Sequence, residues 1–166
     1  MATEDNLKEA FAGESQANRR YLAFAKKADA EGKPGIARLF RAAAAAETVH
    51  AHAHLRVLGS VKSTVENLKA AVEGESYEFK TMYPDFAKEA QAEGNKAALA
   101  SIQNAMAVER VHCGLFSDAA KALAEGKDMP DKTIYVCSIC GNTIIGDAPD
   151  TCPVCGAGKD RFDPVE

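Results

Sequence analysis

A carboxylate and an imidazole three residues apart on one helical face can aim an oxygen and a nitrogen at a common point. This chain carries that pair twice, in Glu47-Thr48-Val49-His50 and Glu109-Arg110-Val111-His112. An offset of 62 positions superimposes the two copies and also brings Glu31-Gly32 onto Glu93-Gly94, with no gap between. Glu14 precedes Glu47 by 33 positions, and Glu75 precedes Glu109 by 34. The repeat implies two similar helical hairpins, each offering a lone carboxylate and then a Glu-x-x-His.

A single Glu-x-x-His is ordinarily a solvated helix face or a satisfied core histidine. Here Glu14, Glu47, Glu75, Glu78 and Glu109 all fall on the apolar stripes of their helices. Desolvating so many carboxylates is unfavourable unless a strong positive charge lies among them. Set across a bundle, Glu47 and Glu109 would bridge two metal ions. His50 and His112 would supply one imidazole each, and Glu14 with Glu75 or Glu78 would close the ends. The remaining carboxylate either exchanges with metal oxidation state or only hydrogen-bonds a ligand. Tyr21, two turns beyond Glu14, either donates a hydrogen bond to the site or packs as a core tyrosine. His52 points away from His50, and His54 aligns with Phe116 in the second copy, so neither is taken as a ligand.

A second cluster lies in YVCSICGNTIIGDAPDTCPVCG, where Cys137, Cys140, Cys152 and Cys155 form two C-x-x-C-G loops. Each loop turns at its glycine, Gly141 or Gly156, so that two thiolates converge, and two loops make a tetrahedral four-sulfur site. A zinc ribbon uses the same spacing. The C-P-x-C-G loop and the preceding Tyr135 favour a single redox-active iron over zinc. Cys113, alone in a helical pattern, reads as a small apolar side chain.

The elements that must position these groups follow from periodicity and punctuation. Thr3 can cap a first helix with Leu7, Phe11, Glu14, Asn18 and Tyr21 on its stripe, ending at Gly32 before Pro34. A second runs from about Gly35 to Leu58 with Ile36, Phe40, Glu47 and His50 inward, and Gly59 stops it. Ser63 and Glu66 form a capping box opening a third, through Leu68, Val72, Glu75, Glu78 and Phe86, which Gly74 and Pro84 should break or bend. Asn95 caps a last long helix carrying Glu109 and His112, ending near Glu125. GKDMPDKT then marks a hinge, and short β-type runs follow among Gly, Pro and Asp. The expected domains are 1–126, a four-helix bundle; 127–133, a hinge; and 134–166, a small metal-knot module.

At 166 residues and 46% apolar content the chain can bury one good core and an appendage. A net charge of −4 without a basic run excludes a nucleic-acid partner, and no apolar run approaches a membrane span. The acidic amphipathic start has no leader-like character, and paired C-x-x-C motifs read as a metal site rather than disulfides. Both point to a cytoplasmic protein.

With GESQANRRY, ETVHAHAHL, GESYEFKTMYPDFAKEAQAEG and AMAVERVH in this order before the cysteine loops, the chain resembles the rubrerythrins from Leu7 to Phe162. The bundle ligand pattern is that of ferritin-like di-iron carboxylate proteins. The resemblance implies a mainly α fold, a ferritin-like bundle followed by a rubredoxin-like domain. It implies a non-haem di-iron peroxidase reducing hydrogen peroxide to water, with two irons in the bundle and one held by the cysteines. Electrons would come from a reductase or rubredoxin fed by NAD(P)H. A head-to-tail homodimer is expected, with one chain's cysteine module serving the other's bundle, because folding it back would use nearly all the reach of the hinge. Two other readings remain: a ferritin-like iron-oxidising or storage protein, and a zinc-loaded structural or binding module.

Overall fold

The computed structural model describes residues 2–165 as two compact units that divide between Lys62 and Ser63. The first is a helical hairpin, α1 (Ala2–Ala30) and α2 (Pro34–Val57). Thr3 lies inside α1 rather than capping it, a shift within the usual fraying of helix ends. Gly32, at φ 68°, reverses the chain while Lys33 N–H returns to Ala28 O at 2.8 Å, and Pro34 starts the next helix. The helices meet on small residues: Ala37, Ala44 and Ala51 recur every seventh position and are buried, as are Asn18, Ala25 and Ala28. Without bulky side chains between them the backbones can approach closely.

The second unit begins with α3 (Thr64–Tyr77), whose capping box at Ser63 and Glu66 is formed as the sequence indicated. Gly74 does not interrupt α3. The irregularity comes later, as a π turn over Glu78–Met82, after which α4 (Tyr83–Ala92) starts with Pro84 in its first turn. Proline is tolerated there because the N–H it lacks would have no partner in a regular helix start. Asn95 accepts from Ala98 N–H at 3.0 Å and opens α5 (Lys96–Ala124), against which α3 and α4 pack.

Gly126, at φ 72°, ends α5. The sheet that follows has β1 (Ile134–Cys137) between β2 (Thr143–Ile145) and β3 (Phe162–Val165), antiparallel to both. Its core is Cys137, Ala148, Cys152 and Phe162. Here the geometry differs from the expectation of a module handed to a partner chain: β2 packs on α5 of its own chain. The turn at Gly126, with Lys127 N–H bonded to Ala122 O at 2.9 Å, redirects the chain within a few residues, so little hinge length is spent on the return.

Two stripe residues expected inside, Ile36 and Phe86, are 52% and 45% exposed. Ile36 is joined by Leu39, Val49 and Val57 as exposed apolar side chains of α2, whose buried face is the alanine seam. Among the described residues no helix is long and apolar enough to cross a membrane.

Candidate metal centres

In the first hairpin Glu14, Glu47 and His50 bring one ligand atom each to within 4.8 Å of one another. His50 Nδ1 lies 2.9 Å from Glu47 Oε2, the one-turn spacing placing both on the same face of α2. Asn18, one turn past Glu14, clips the helices together at this level: its Nδ2 donates to Ala44 O at 2.7 Å and to Thr48 Oγ1 at 2.9 Å. The Tyr21 ring packs against Phe24 and Phe40 with centroids 6.2 Å away. His52 is exposed and His54 half-buried.

The second hairpin repeats the triplet with Glu75, Glu109 and His112, again within 4.8 Å. His112 Nδ1 is 2.8 Å from Glu109 Oε2 and 3.9 Å from Glu75 Oε1. Burial, then the hydrogen bond and charge of Glu109, push Glu75 up to about 7, with His112 pulling the other way. Glu78 is raised too, by burial first and then by Glu109. The π turn begins at Glu78, so the helix widens where the extra carboxylate joins the cluster.

Two residues of this neighbourhood were not singled out from the sequence. Thr143 Oγ1, at the start of β2, lies 2.9 Å from His112 Nε2 and donates its own proton to Gly141 O at 3.2 Å. With that proton given to Gly141 O, Thr143 is placed to accept from His112 Nε2–H, the tautomer that would leave Nδ1 free for a metal ion among the carboxylates. Tyr83 is the other: burial, then Glu78, Glu109 and Glu75, raise its phenol, so it stays protonated beside the cluster. No spacing rule connects Thr143 to His112 across 31 positions. Tyr83 had a weak signal in its position two turns past Glu75. A cavity of about 430 Å³ opens beside the triplet, with Leu68, Phe116, Ile134 and Thr143 in its walls and Glu75 and His112 at its edge.

The four cysteines of the knot converge as their spacing indicated. Gly141 N–H bonds to Cys137 O at 2.8 Å and Gly156 N–H to Cys152 O at 2.9 Å, closing the two loops. Both glycines have positive φ, 86° and 75°, which side chains with a Cβ rarely adopt. Cys137 and Cys155 sulfurs are 3.7 Å apart, as are those of Cys140 and Cys152. A metal tetrahedron with bonds of about 2.3 Å has sulfur edges of about 3.8 Å, so the four thiols already have the size of a metal site. Burial opposes ionisation of Cys152, but the amides of Cys155 and Val154 outweigh it and bring the thiol to about 7. Burial pushes Cys140 up to about 12. The Cys152 thiolate forms readily, and Cys140 needs a cation beside it to ionise.

The bundle triplets pass the same test. His112 Nδ1 and a carboxylate oxygen 2.8 Å apart share a proton or a cation between them, and Glu75 and Glu78 are raised by burial first and then by the neighbouring Glu109 carboxylate. Oxygen and imidazole donors suit a divalent first-row metal, and the sulfur set suits iron or zinc.

A family model described as rubrerythrin matches residues 5–120, and one described as the rubrerythrin rubredoxin-like domain matches residues 135–163. The chain is 36% identical to rubrerythrin-2 of Clostridium acetobutylicum over 96% of its length and 95% of that protein's. It is 38% identical to nigerythrin of Nitratidesulfovibrio vulgaris, covering 97% of this chain and 85% of the relative. Solved structures of nigerythrin are similar as well. The mixed-valent state gives a TM-score of 0.59 at 35% identity, and the fully reduced, all-ferrous state 0.60 at 34%. Each covers 98% of this chain and 86% of the other.

Proposed function

The chain belongs to the rubrerythrin family, and from that premise we propose that it reduces hydrogen peroxide to water at a di-iron centre. Glu47, Glu109, His50, His112 and Glu14 with Glu75 or Glu78 would hold the two irons, and Cys137, Cys140, Cys152 and Cys155 would hold a third. The bundle corresponds to residues 1–126 and the electron-transfer module to 134–166, with 127–133 as the hinge. Ferrous iron in the bundle supplies the two electrons of H2O2 + 2 H⁺ + 2 e⁻ → 2 H2O.

The protein's own groups do the rest. The carboxylates neutralise the metal charge and hold their oxygens where water would otherwise bind. Glu75, pushed up to about 7 by burial and then by Glu109, can hold a proton near the site at neutral pH and release it as charge changes, and burial raises Glu78 in the same direction. Tyr83 stays protonated and can donate a hydrogen bond to peroxide entering beside the carboxylates. Thr143 orients the His112 ring and, through Gly141 O, links it to the loop that holds Cys140. An external reductase or rubredoxin fed by NAD(P)H reduces the module, and a cytoplasmic setting keeps its thiols reduced.

The observation that carries this reading over iron storage is the contact between Thr143 and His112, an electron-transfer loop resting on a bundle ligand. Storage gives no reason for such a module. The test is an anaerobic titration of the fully reduced chain with hydrogen peroxide, followed by visible absorption. The expected outcome is three peroxides consumed per two chains, one for each pair of bundle irons and the third for the two cysteine-bound irons, whose oxidation is rapid. A protein that leaves peroxide untouched but oxidises and retains added ferrous iron by the hundreds of ions would be a storage protein. A colourless, zinc-loaded protein would be a structural module.

A further inference from the structure

We propose that the protein also reduces neutral organic hydroperoxides, the apolar cavity beside Glu75 and His112 holding the carbon skeleton while the hydroperoxide group meets the triplet. The inference rests on the peroxidase reading above and extends its substrate class.

Hydrogen peroxide carries no carbon and gains nothing from hydrocarbon walls. The walls beside the second triplet are nevertheless hydrocarbon. Leu68 of α3, Leu115, Phe116 and Ala119 of α5, and Ile134 and Ile145 of the sheet surround about 430 Å³. Leu68, Leu115, Phe116 and Ile145 are only half-buried and stand outside the core of the knot, so they keep apolar surface free to face the cavity. Mostly hydrocarbon walls with a few polar groups at one end are the usual make-up of a small-molecule site. An apolar cavity of about 150 Å³ holds benzene, and this one has nearly three times that volume.

The polar groups gather at the edge. Glu75 and His112 lie there, and Thr143 Oγ1 already engages His112 Nε2 at 2.9 Å. A ligand seated in the cavity therefore meets the Glu75 carboxylate with its polar end and needs a hydrogen-bond donor there, which an O–O–H group supplies. The rest of the ligand must be hydrocarbon. No lysine or arginine lines the cavity, so a second, ionised carboxylate on the substrate would lose its hydration without gaining a counter-charge. The class is thereby narrowed to alkyl and arylalkyl hydroperoxides.

The balance is ROOH + 2 H⁺ + 2 e⁻ → ROH + H2O. The O–O bond breaks, the two electrons come from the reduced protein as they do for hydrogen peroxide, one oxygen leaves in water and the other stays on carbon as the alcohol. Each methylene moved from water into the cavity should favour binding about fourfold. The alcohol keeps the same carbon skeleton and undergoes no redox step, so binding and turnover can be read separately.

The binding test adds 2-phenyl-2-propanol, the alcohol formed from cumene hydroperoxide, to the metal-free full chain and follows methyl NMR signals. Saturable shifts are expected at Leu68, Leu115 and Ile145, and they should vanish in Ala119→Phe, whose added ring occupies the cavity. Ala119→Leu is the smaller filler should the phenylalanine chain fold poorly. The turnover test compares cumene hydroperoxide with hydrogen peroxide in the iron-loaded protein. Ala119→Phe should lower kcat/KM for cumene hydroperoxide at least about tenfold more than for hydrogen peroxide, chiefly through KM, the equivalent of roughly two buried methylenes. Reduction of hydrogen peroxide without any methyl shifts overturns the proposal and leaves the peroxidase reading standing. Equal losses for both substrates in Ala119→Phe overturn it as well. A protein that binds the alcohol but reduces neither peroxide would sink the peroxidase reading, and the organic hydroperoxide activity with it.

Discussion

His50 and His112 approach their glutamates almost identically, at 2.9 and 2.8 Å, yet the His50 side chain is 55% exposed and that of His112 is 26%. The first triplet sits on two unbroken helices held by an alanine seam and the Asn18 clip. The second has an additional carboxylate, a π turn beneath it, a tyrosine that feels its charge, and a β-strand hydroxyl on the far nitrogen of its histidine. The repeat copied the ligands and not the surroundings. In the di-iron reading proposed above, these unequal settings would leave the α1–α2 ligands plain and give the α3–α5 ligands the neighbours able to move protons.

The sharpest way to break this comparison is to remove one glutamate at a time. Glu47→Ala and Glu109→Ala should each empty the bundle of both irons, because a bridging carboxylate serves two ions. Glu78→Ala should lose one at most. Metal analysis of the purified variants decides it, and equal losses in all three would show that the bridging assignment is wrong.

Acid probes the crowded end. Glu75 in the metal-free protein titrates near 7, above its ordinary value, so below that pH a metal ion must displace its proton. Affinity at this end should fall about tenfold for each pH unit below 7 from this group alone, or about 100-fold between pH 7 and pH 5. The sign for stability runs the same way. The fold favours the protonated carboxyl, so the metal-free protein should lose stability as pH rises from about 4.5 to 7. Competition titrations with a chromophoric chelator measure the first, and urea unfolding of the metal-free protein the second. Glu75→Gln should flatten both.

Thr143→Val keeps the shape of β2 and removes the acceptor for His112. Lost orienting partners of metal-bound histidines cost about 10- to 100-fold, and the low end is expected here because the ring remains packed. Reoxidation of the cysteine-bound iron by peroxide should slow about tenfold with iron content unchanged, and Thr143→Ser should restore it. An unchanged rate would remove the hydroxyl from the electron route. The smallest effect is Ser63→Ala, which removes one half of a capping box and should cost about 1 kcal/mol in denaturant unfolding. It tests how firmly the capping box fixes the start of α3.

Much of this was legible in the sequence because repeats and spacings are local. The Glu-x-x-His pairs, the capping box at Ser63 and the two cysteine loops each form within a few residues, and each is present. The misreadings arose where a one-dimensional pattern was extended too far. Gly74 was expected to break a helix that continues past it, since packing of α3 against α5 outweighs a single glycine. The π turn adds a residue to the helix, so the stripe running through Leu68 and Val72 loses phase beyond Met82. Phe86, assigned by prolonging that stripe, is exposed. Thr143 and Tyr83 became visible only through tertiary structure. The hinge length bounded where the module could go without fixing where it went.

The closed geometry of the four-cysteine knot has a thermodynamic consequence as well. Thiols that meet at the size of a metal tetrahedron only when both loops are folded make metal binding and folding linked equilibria, and a bound metal stabilises the module by mass action. The ion then acts as a cross-link, and a chelator acts as a denaturant.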